Sequence, residues 1–164
     1  MDRVLLGQVE TPVGVVGVLA GPAGVRRVGW RLEPTGASTR PDETVNQALD
    51  QLREYFTGRR RYFDLTLEWP RLEPTTAAVL KALISVRYGE TVTYGELALH
   101  SGTGIPARAI GSIMAANPWP IIVPCHRVVA ADGLGGYSGG ERGHELETKR
   151  WLLENEGALP PVLV

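Results

Sequence analysis

The sequence is poor in cysteine, in excess charge and in long apolar runs, and each shortage excludes a class of protein. Cys125 is the only cysteine, so neither a disulfide-stapled scaffold nor a thiolate zinc cluster can form within the chain. Lys and Arg number 17 against 18 Asp and Glu, which argues against a strongly basic nucleic-acid protein. No apolar run reaches the roughly 18 residues of a membrane span, and no signal-peptide pattern opens the chain. We therefore expect a cytoplasmic enzyme or binding protein without a membrane partner.

What the sequence does contain is an ordinary globular mixture, 43% apolar and 21% charged over 164 residues. A chain of this length buries roughly two-thirds of its surface on folding, so it can form a sizeable core. Its first third favours β-structure, because runs rich in Val and Leu are separated by turns with Pro and Gly. These runs predict an antiparallel meander, followed by a loop at Glu33–Pro41. The predicted strands are Arg3–Glu10, Val13–Ala20 and Val25–Leu32.

One helix and one further strand are predicted before the middle of the chain. Apolar residues at helical spacing predict a helix that runs from the N-cap Asp42 to Phe56. Alternating apolar and polar residues predict a half-buried strand over Tyr62–Glu68. The segment Trp69–Pro74 has two prolines and no periodicity. We therefore predict two domains, residues 1–72 and 73–164.

The second domain is predicted to be mainly helical. Apolar residues on one stripe predict a helix over Thr75–Val86. Thr93 and Glu96 fit a capping box that opens the next helix. Pro106 stands where the first residue of another helix is expected, and that helix should end at Asn117. Two short helices joined by a glycine-containing turn make a candidate helix-turn-helix, a pattern that many helical hairpins share.

Three elements are predicted around the single cysteine, one before it and two after it. The apolar run Ile121–Val123 predicts a buried strand that leads into Cys125. A glycine-rich loop follows over Asp132–Gly140. A last helix is predicted over His144–Asn155, with Gly157 as its C-terminal cap.

Cys125 has two interpretations from its neighbours alone. A lone cysteine after an apolar run is commonly a small buried hydrophobic residue. However, the imidazole of His126 and the guanidinium of Arg127 would both favour a thiolate and lower the thiol pKa from its usual value of about 8.5. An activated nucleophile is therefore the competing interpretation.

The surroundings of the cysteine form a longer and more specific pattern. Residues 117–129 read Asn-Pro-Trp-Pro-Ile-Ile-Val-Pro-Cys-His-Arg-Val-Val. This segment resembles the active-site signature of the O6-alkylguanine-DNA alkyltransferases, the methylated-DNA–protein-cysteine methyltransferases. Further segments resemble the helix-turn-helix, binding loop and closing helix of that family. These segments are Thr93–Ala98, Ala107–Gly111, Gly136–Gly140 and Trp151–Gly157.

The resemblance implies a fold and a reaction. The implied N-terminal domain is α/β, with a ribonuclease-H-like three-stranded antiparallel sheet plus a helix. The implied C-terminal domain is mostly helical and has a winged helix-turn-helix-like DNA-binding motif. The reaction is direct repair of DNA, in which Cys125 takes the alkyl group from O6-alkylguanine after the nucleotide is flipped. O4-methylthymine is a second candidate substrate. The transfer is irreversible and consumes the protein, and neither a cofactor nor a metal is needed.

Two other functions compete with alkyl transfer. A sensor would grip alkylated DNA without repairing it, although the non-transferring relatives replace the cysteine that this chain has. A cysteine hydrolase using Cys125 and His126 would turn over many times and would not depend on Arg108.

The resemblance assigns roles to five catalytic residues. Cys125 is the nucleophile, His126 acts as its general base through a water molecule, and Glu156 orients the imidazole. Tyr94 is the candidate proton donor to the leaving guanine, and Asn117 braces the turn that holds the cysteine. Taken singly, Tyr94 also fits an ordinary exposed or core tyrosine, and Asn117 a helix terminator.

The resemblance also assigns a pocket and a DNA-binding helix. Arg108 is the wedge that replaces the flipped nucleotide in double-stranded DNA, although a solvated helix charge is its plain alternative. The small neighbours of Arg108 allow a close approach to the minor groove, and these are Ala107, Ala109, Gly111 and Ser112. The pocket residues are Tyr94, Met114, Val128, Tyr137 and Ser138, and Trp119 and Met114 are candidates for limiting the size of the alkyl group. We expect a monomer that lies in the cytoplasm and joins the nucleoid when it is bound to DNA.

Overall fold

The computed structural model describes residues 4–32, 36–40 and 42–159, and the chain divides between Pro70 and Arg71 into two compact units. Arg3, at the start of the first predicted strand, and residues 33–35 and 41 of the predicted loop lie outside the described residues. In the described part of the chain, every helix is too short or too polar to cross a membrane.

The first unit contains a three-stranded antiparallel sheet, which confirms the predicted meander. Its strands are β1 (Leu5–Thr11), β2 (Gly14–Gly21) and β3 (Gly24–Gly29), in that order across the sheet. Tight turns join them. Gly14 and Gly24 begin the second and third strands with φ values of 106° and 133°, which side chains rarely allow.

Helix α1 (Glu43–Phe56) packs on this sheet and confirms the predicted helix. The Asp42 side chain accepts a hydrogen bond from the backbone N–H of Val45 at 3.0 Å, which is the expected N-cap. The helix lies directly over Gly7, because a Cβ atom built there would be 2.4 Å from Val45 Cγ1. The core of this unit is formed by the apolar face of the sheet and by the predicted helix stripe, Val45, Ala48, Leu49, Leu52 and Phe56.

The strand predicted over Tyr62–Glu68 is wrong. This segment makes only an isolated parallel bridge, between Leu67 and Val25. The alternation of inward and outward residues is present, but the backbone N–H and C=O of Asp64 are hydrogen-bonded by the side chain of Gln51 at 2.9 and 3.0 Å. A side chain therefore satisfies backbone groups that a strand ladder would otherwise use.

The second unit is mainly helical with one short parallel strand pair. Its helices are α2 (Pro74–Ile84), α3 (Tyr94–Ser101), α4 (Ala107–Ala115) and α5 (Glu145–Asn155). Strand β4 (Val92–Thr93) pairs in parallel with β5 (Val128–Val129). The first three helices pack together, and the buried core includes Val79, Leu80, Leu83, Leu97, Ile110, Leu152 and Leu153.

Helices α3 and α4 form the predicted helix-turn-helix element with small differences at their ends. The capping box is present, since Thr93 and Glu96 exchange hydrogen bonds at 2.9 and 3.1 Å. Gly102 ends α3 in the left-handed conformation, with φ of 67°. Pro106 is the N-cap of α4 and not its first helical residue, and α4 ends at Ala115, before Asn117.

The buried strand predicted over Ile121–Val123 is also wrong. These residues form a turn in which Val123 N–H donates to the Trp119 carbonyl at 2.8 Å. Ile121 has a positive φ of 76°, which a strand does not permit and which is strained for a β-branched residue. The run is apolar because Ile121 and Val123 are buried, at 1% and 0% exposure, and not because it pairs in a sheet.

Candidate active site

The cysteine turn is a short 3₁₀ helix, Cys125–Arg127, which follows the turn at Ile121 and leads directly into β5. The pairing of Val92 with Val128 and of Thr93 with Val129 places β5 beside the start of α3. Because α3 begins at Tyr94, two short strands bring the cysteine turn and this tyrosine to the same side of the unit.

Asn117 holds the turn that precedes the cysteine. Its Nδ2 donates to the Val123 carbonyl at 2.8 Å, and its Oδ1 accepts from the Trp119 N–H at 3.0 Å. The Asn117 side chain also favours the thiolate form of Cys125. Trp119 is fully buried and Met114 is half-buried.

Burial raises the pKa of the Cys125 thiol, whereas the sequence interpretation expected a lowered pKa. Cys125 is 7% exposed, and loss of solvent disfavours the thiolate. The hydrogen bond from Asn117 and the positive charge of Lys149 act in the opposite direction but do not outweigh burial. The guanidinium of Arg127, which was expected to help, is directed to a carboxylate. Cys125 is therefore a thiol at neutral pH, and a nucleophilic role would require a base to remove its proton.

His126 and Glu156 form a buried pair, although 30 residues separate them in the chain. The distance between His126 Nε2 and Glu156 Oε2 is 2.7 Å, and both side chains are fully buried. Burial lowers the pKa of His126, against the opposite effect of the carboxylate, so the imidazole is neutral at pH 7. Its Nδ1 is buried and has no hydrogen-bond partner among the described residues.

Arg127 binds the same carboxylate with a two-point contact. Its Nε lies 2.8 Å from Glu156 Oε1 and its Nη2 lies 3.1 Å from Oε2. Burial by itself raises the pKa of Glu156, but the hydrogen bonds and charges of His126 and Arg127 outweigh it and lower the pKa to about 2. The charge of His126 acts on this carboxylate only when the imidazole is protonated, whereas the guanidinium of Arg127 is always charged.

Lys149 is a residue of the candidate site that the sequence interpretation did not include. It is fully buried on α5, and its Nζ donates to the carbonyls of Val128 at 2.6 Å, Gly136 at 2.8 Å and Leu134. Burial lowers the pKa of Lys149 to about 8. The missed signal was its position on the apolar stripe of α5, where a charged residue needs a structural reason. Glu156 is the C-cap of the same helix.

The side chains of Lys149 and Tyr94 are both hydrogen-bonded to Gly136 of the glycine-rich loop. The Tyr94 hydroxyl accepts from the Gly136 N–H at 3.2 Å and makes a long contact of 3.4 Å with the Gly136 carbonyl. Of the predicted pocket residues on this side, Tyr137 is half-buried and Ser138 is exposed. The Val128 side chain is buried, and its carbonyl accepts from Lys149.

We predict that Gly135→Ala displaces this loop from Tyr94. Gly135 has φ of 71°, and a Cβ atom there would lie 2.8 Å from Tyr94 Oη and 3.1 Å from the Ala130 nitrogen. The strain should cost about 1–3 kcal/mol of unfolding free energy. It should also slow reaction at Cys125 with a soluble alkylating agent. The neighbouring Gly136→Ala is the matched control, because its Cβ would enter open space without a positive φ; equal losses in both variants would contradict the prediction.

The predicted DNA-binding residues lie along α4. Ala107, Arg108, Gly111 and Ser112 are exposed and Ala109 is half-buried, while Ile110 between them is fully buried. The helix thus presents one arginine among small residues on its open face. Within the described ranges, no group of three or more His, Cys, Asp or Glu side chains is placed to hold a metal ion.

Comparison with known proteins identifies the family to which the chain belongs. A model of the DNA-binding domain of 6-O-methylguanine DNA methyltransferase matches residues 74–158. The chain belongs to this methyltransferase family. A methylated-DNA–protein-cysteine methyltransferase of Mycobacterium tuberculosis is 40% identical over 159 residues, which cover 93% of this chain and 92% of that protein. A protein of Thermus thermophilus named DNA base-flipping protein is 39% identical over 154 residues, 91% of this chain and 97% of that one.

Solved methyltransferase structures agree over both units. A crystal structure of the Mycobacterium tuberculosis O6-methylguanine methyltransferase has a TM-score of 0.81 at 33% identity, covering 99% of this chain and 96% of that chain. Another, of the M. tuberculosis OGT in complex with DNA, has the same TM-score at 35% identity, covering 96% and 95%. The family and the fold class that the resemblance implied are therefore confirmed.

Proposed function

We propose that this chain repairs alkylated DNA by moving one alkyl group from O6 of guanine to the Sγ atom of Cys125. The observation that carries the proposal is the buried thiol in a turn whose next residue, His126, is held by Glu156 at 2.7 Å. A bond forms between Sγ and the alkyl carbon while the bond from that carbon to O6 breaks. The electron pair leaves with guanine, the thiol proton goes to the imidazole, and a proton is returned to the guanine ring.

His126 is suited to act as the base in this step. Its Nε2 is engaged by Glu156, so the buried and unpartnered Nδ1 is the atom that can receive a proton. A water molecule between Sγ and Nδ1, as the resemblance implies, would relay it. The product is a neutral thioether, which has no leaving group as good as guanine, so each molecule reacts once.

Tyr94 is proposed as the donor to the leaving guanine. Its hydroxyl is oriented by the N–H of Gly136, and the long contact with the Gly136 carbonyl leaves its proton able to turn toward a bound base. Met114, Val128, Tyr137 and Ser138 complete the proposed pocket. We propose O6-alkylguanine as the main substrate and O4-methylthymine as a second one.

Access to the base requires nucleotide flipping, since a buried thiol cannot enter the base stack. The exposed face of α4 supports an approach through the minor groove, with Arg108 taking the place of the extruded nucleotide. The relatives support this interpretation, because one is named a DNA base-flipping protein and another was crystallised with DNA. We propose that the protein acts on double-stranded DNA as a monomer.

The test is transfer of label from an oligonucleotide that carries a single methyl-labelled O6-methylguanine. The label should move to the protein, stop at one methyl per chain and be found on Cys125 by mass spectrometry. Continued turnover would indicate a hydrolase instead. Tight retention of the modified oligonucleotide without transfer would support the sensor function instead.

We predict that binding to DNA depends only weakly on salt. From Arg71 onward the chain has eight Lys and Arg against nine Asp and Glu, and two of those cations, Arg127 and Lys149, are buried. Few cations therefore remain for phosphate contacts, and the slope of log K against log salt should be shallow. Fluorescence anisotropy from about 50 to about 300 mM salt would measure it. A slope that implies about eight or more phosphate contacts would contradict the prediction.

A further inference from the structure

The proposed alkyl transfer gives no role to Arg127, although this side chain is buried beside His126. Its side chain is 8% exposed, and the guanidinium makes all of its described hydrogen bonds inside the protein. Two of them, from Nε and Nη2, each reach one oxygen of the Glu156 carboxylate. The third, from Nη1, reaches the backbone carbonyl of Val86 at 2.7 Å. Glu156 Oε2 is therefore shared between Arg127 and His126.

The surroundings hold this arginine in one position. Its guanidinium carbon lies 5.9 Å from the ring centre of Tyr88, and the Tyr88 hydroxyl donates to the Asn155 carbonyl at 3.2 Å. The segment after α2 and the end of α5 are thus tied to the cysteine turn through one side chain. A planar guanidinium can span both carboxylate oxygens and a carbonyl at once, which the single amine of lysine cannot do.

We propose that Arg127 is the positioning residue of this site: it fixes the Glu156 carboxylate against His126 and keeps that imidazole neutral, and so able to take the proton of Cys125. The inference rests on the proposed role of His126 as the base. A buried carboxylate paired only with an imidazole would favour an ion pair, in which the imidazolium could accept nothing. Arg127 supplies the positive charge, so the imidazole is not required to carry it.

The charged groups that face His126 act on its pKa in opposite directions. Glu156, at the end of α5, favours its protonated form, while Arg127 on the cysteine turn and Lys149 on α5 oppose it. The Cys125 thiol becomes negative only during the reaction. Removing Arg127 takes away one of two opposing cations and leaves the carboxylate to His126 alone, so both changes favour imidazolium.

The test is a histidine titration followed by NMR in Arg127→Met. The chain has three histidines, and the exposed His100 and His144 serve as internal controls for His126. We expect the His126 midpoint to rise by at least about one pH unit. With free O6-methylguanine base, alkylation at pH 7 should fall about tenfold and recover as the pH is raised. Arg87→Met, which removes an exposed arginine nearby, should change neither.

An unchanged His126 midpoint in a folded Arg127→Met protein would overturn the proposal. If that variant does not fold, Arg127→Lys decides. Lysine keeps the charge, so the midpoint should stay within about half a pH unit, but the lost two-point contact should slow alkylation several-fold. A wild-type rate in Arg127→Lys would overturn the proposal. Failure of the wild-type protein to take up label would instead refute the proposed function, since the His126 midpoint does not depend on alkyl transfer.

Discussion

Cys125→Ser is expected to abolish alkyl transfer while it leaves DNA binding within about twofold of wild type. Serine is close to cysteine in size, so the turn held by Asn117 should survive. Its hydroxyl, however, ionises far less readily than a thiol and is a harder nucleophile toward an alkyl carbon. The loss should be at least about 10⁴-fold in rate, as for removal of other catalytic nucleophiles.

The measurement uses the labelled oligonucleotide with both proteins at equal concentration. Anisotropy with the same oligonucleotide provides the control, because Cys125 is buried and α4 carries the proposed DNA contacts. Label found on the Cys125→Ser variant would assign the transfer to another nucleophile. Loss of DNA binding together with transfer would show that the thiol has a structural role in the interface.

His126→Asn is expected to give the second largest loss, about 10²- to 10⁴-fold at pH 7. Burial raises the pKa of the Cys125 thiol, so without a base the rate follows the small thiolate fraction. That fraction increases about tenfold per pH unit below the thiol pKa, so the variant should recover steadily as the pH rises. The wild-type protein should lose activity only at acid pH, where the lowered pKa of His126 finally allows protonation.

A single-turnover rate profile from about pH 5 to pH 9 measures this difference. The matched control is His144→Asn, which removes an exposed histidine paired with Glu147 at 3.1 Å and should leave the profile unchanged. A wild-type rate at pH 7 in His126→Asn would show that the imidazole is not the base. A parallel profile, lower at every pH, would indicate a structural defect instead.

Several elements could be predicted from local pattern because local forces determine them. The capping box at Thr93 and Glu96 and the N-cap at Asp42 depend on residues three apart, and both are present. The strands predicted over Tyr62–Glu68 and Ile121–Val123 failed for one reason. Apolar periodicity reports burial, whereas a strand also needs a partner for its backbone, and side chains or a turn satisfied that backbone here.

The charges that act on the site residues likewise depend on tertiary contacts and not on local sequence pattern. Sequence adjacency suggested that Arg127 would lower the pKa of the neighbouring thiol, but its guanidinium binds Glu156, 29 residues further along the chain. The charge that does act on Cys125 belongs to Lys149. Neither partner could be assigned from spacing, because a side chain's direction depends on the packing of the helix that faces it.

The amino-acid sequence by itself determined the single cysteine, the motif around it and the order of most helices and strands, since these depend on residue type and short-range spacing. Only the tertiary structure decided the protonation states. Helix α5 and its C-cap bring Lys149 and Glu156 against the cysteine turn, and burial there raises the pKa of the thiol and keeps the imidazole neutral. Proton affinity depends on distances through space and on exclusion of water, and neither quantity is contained in the linear order of residues.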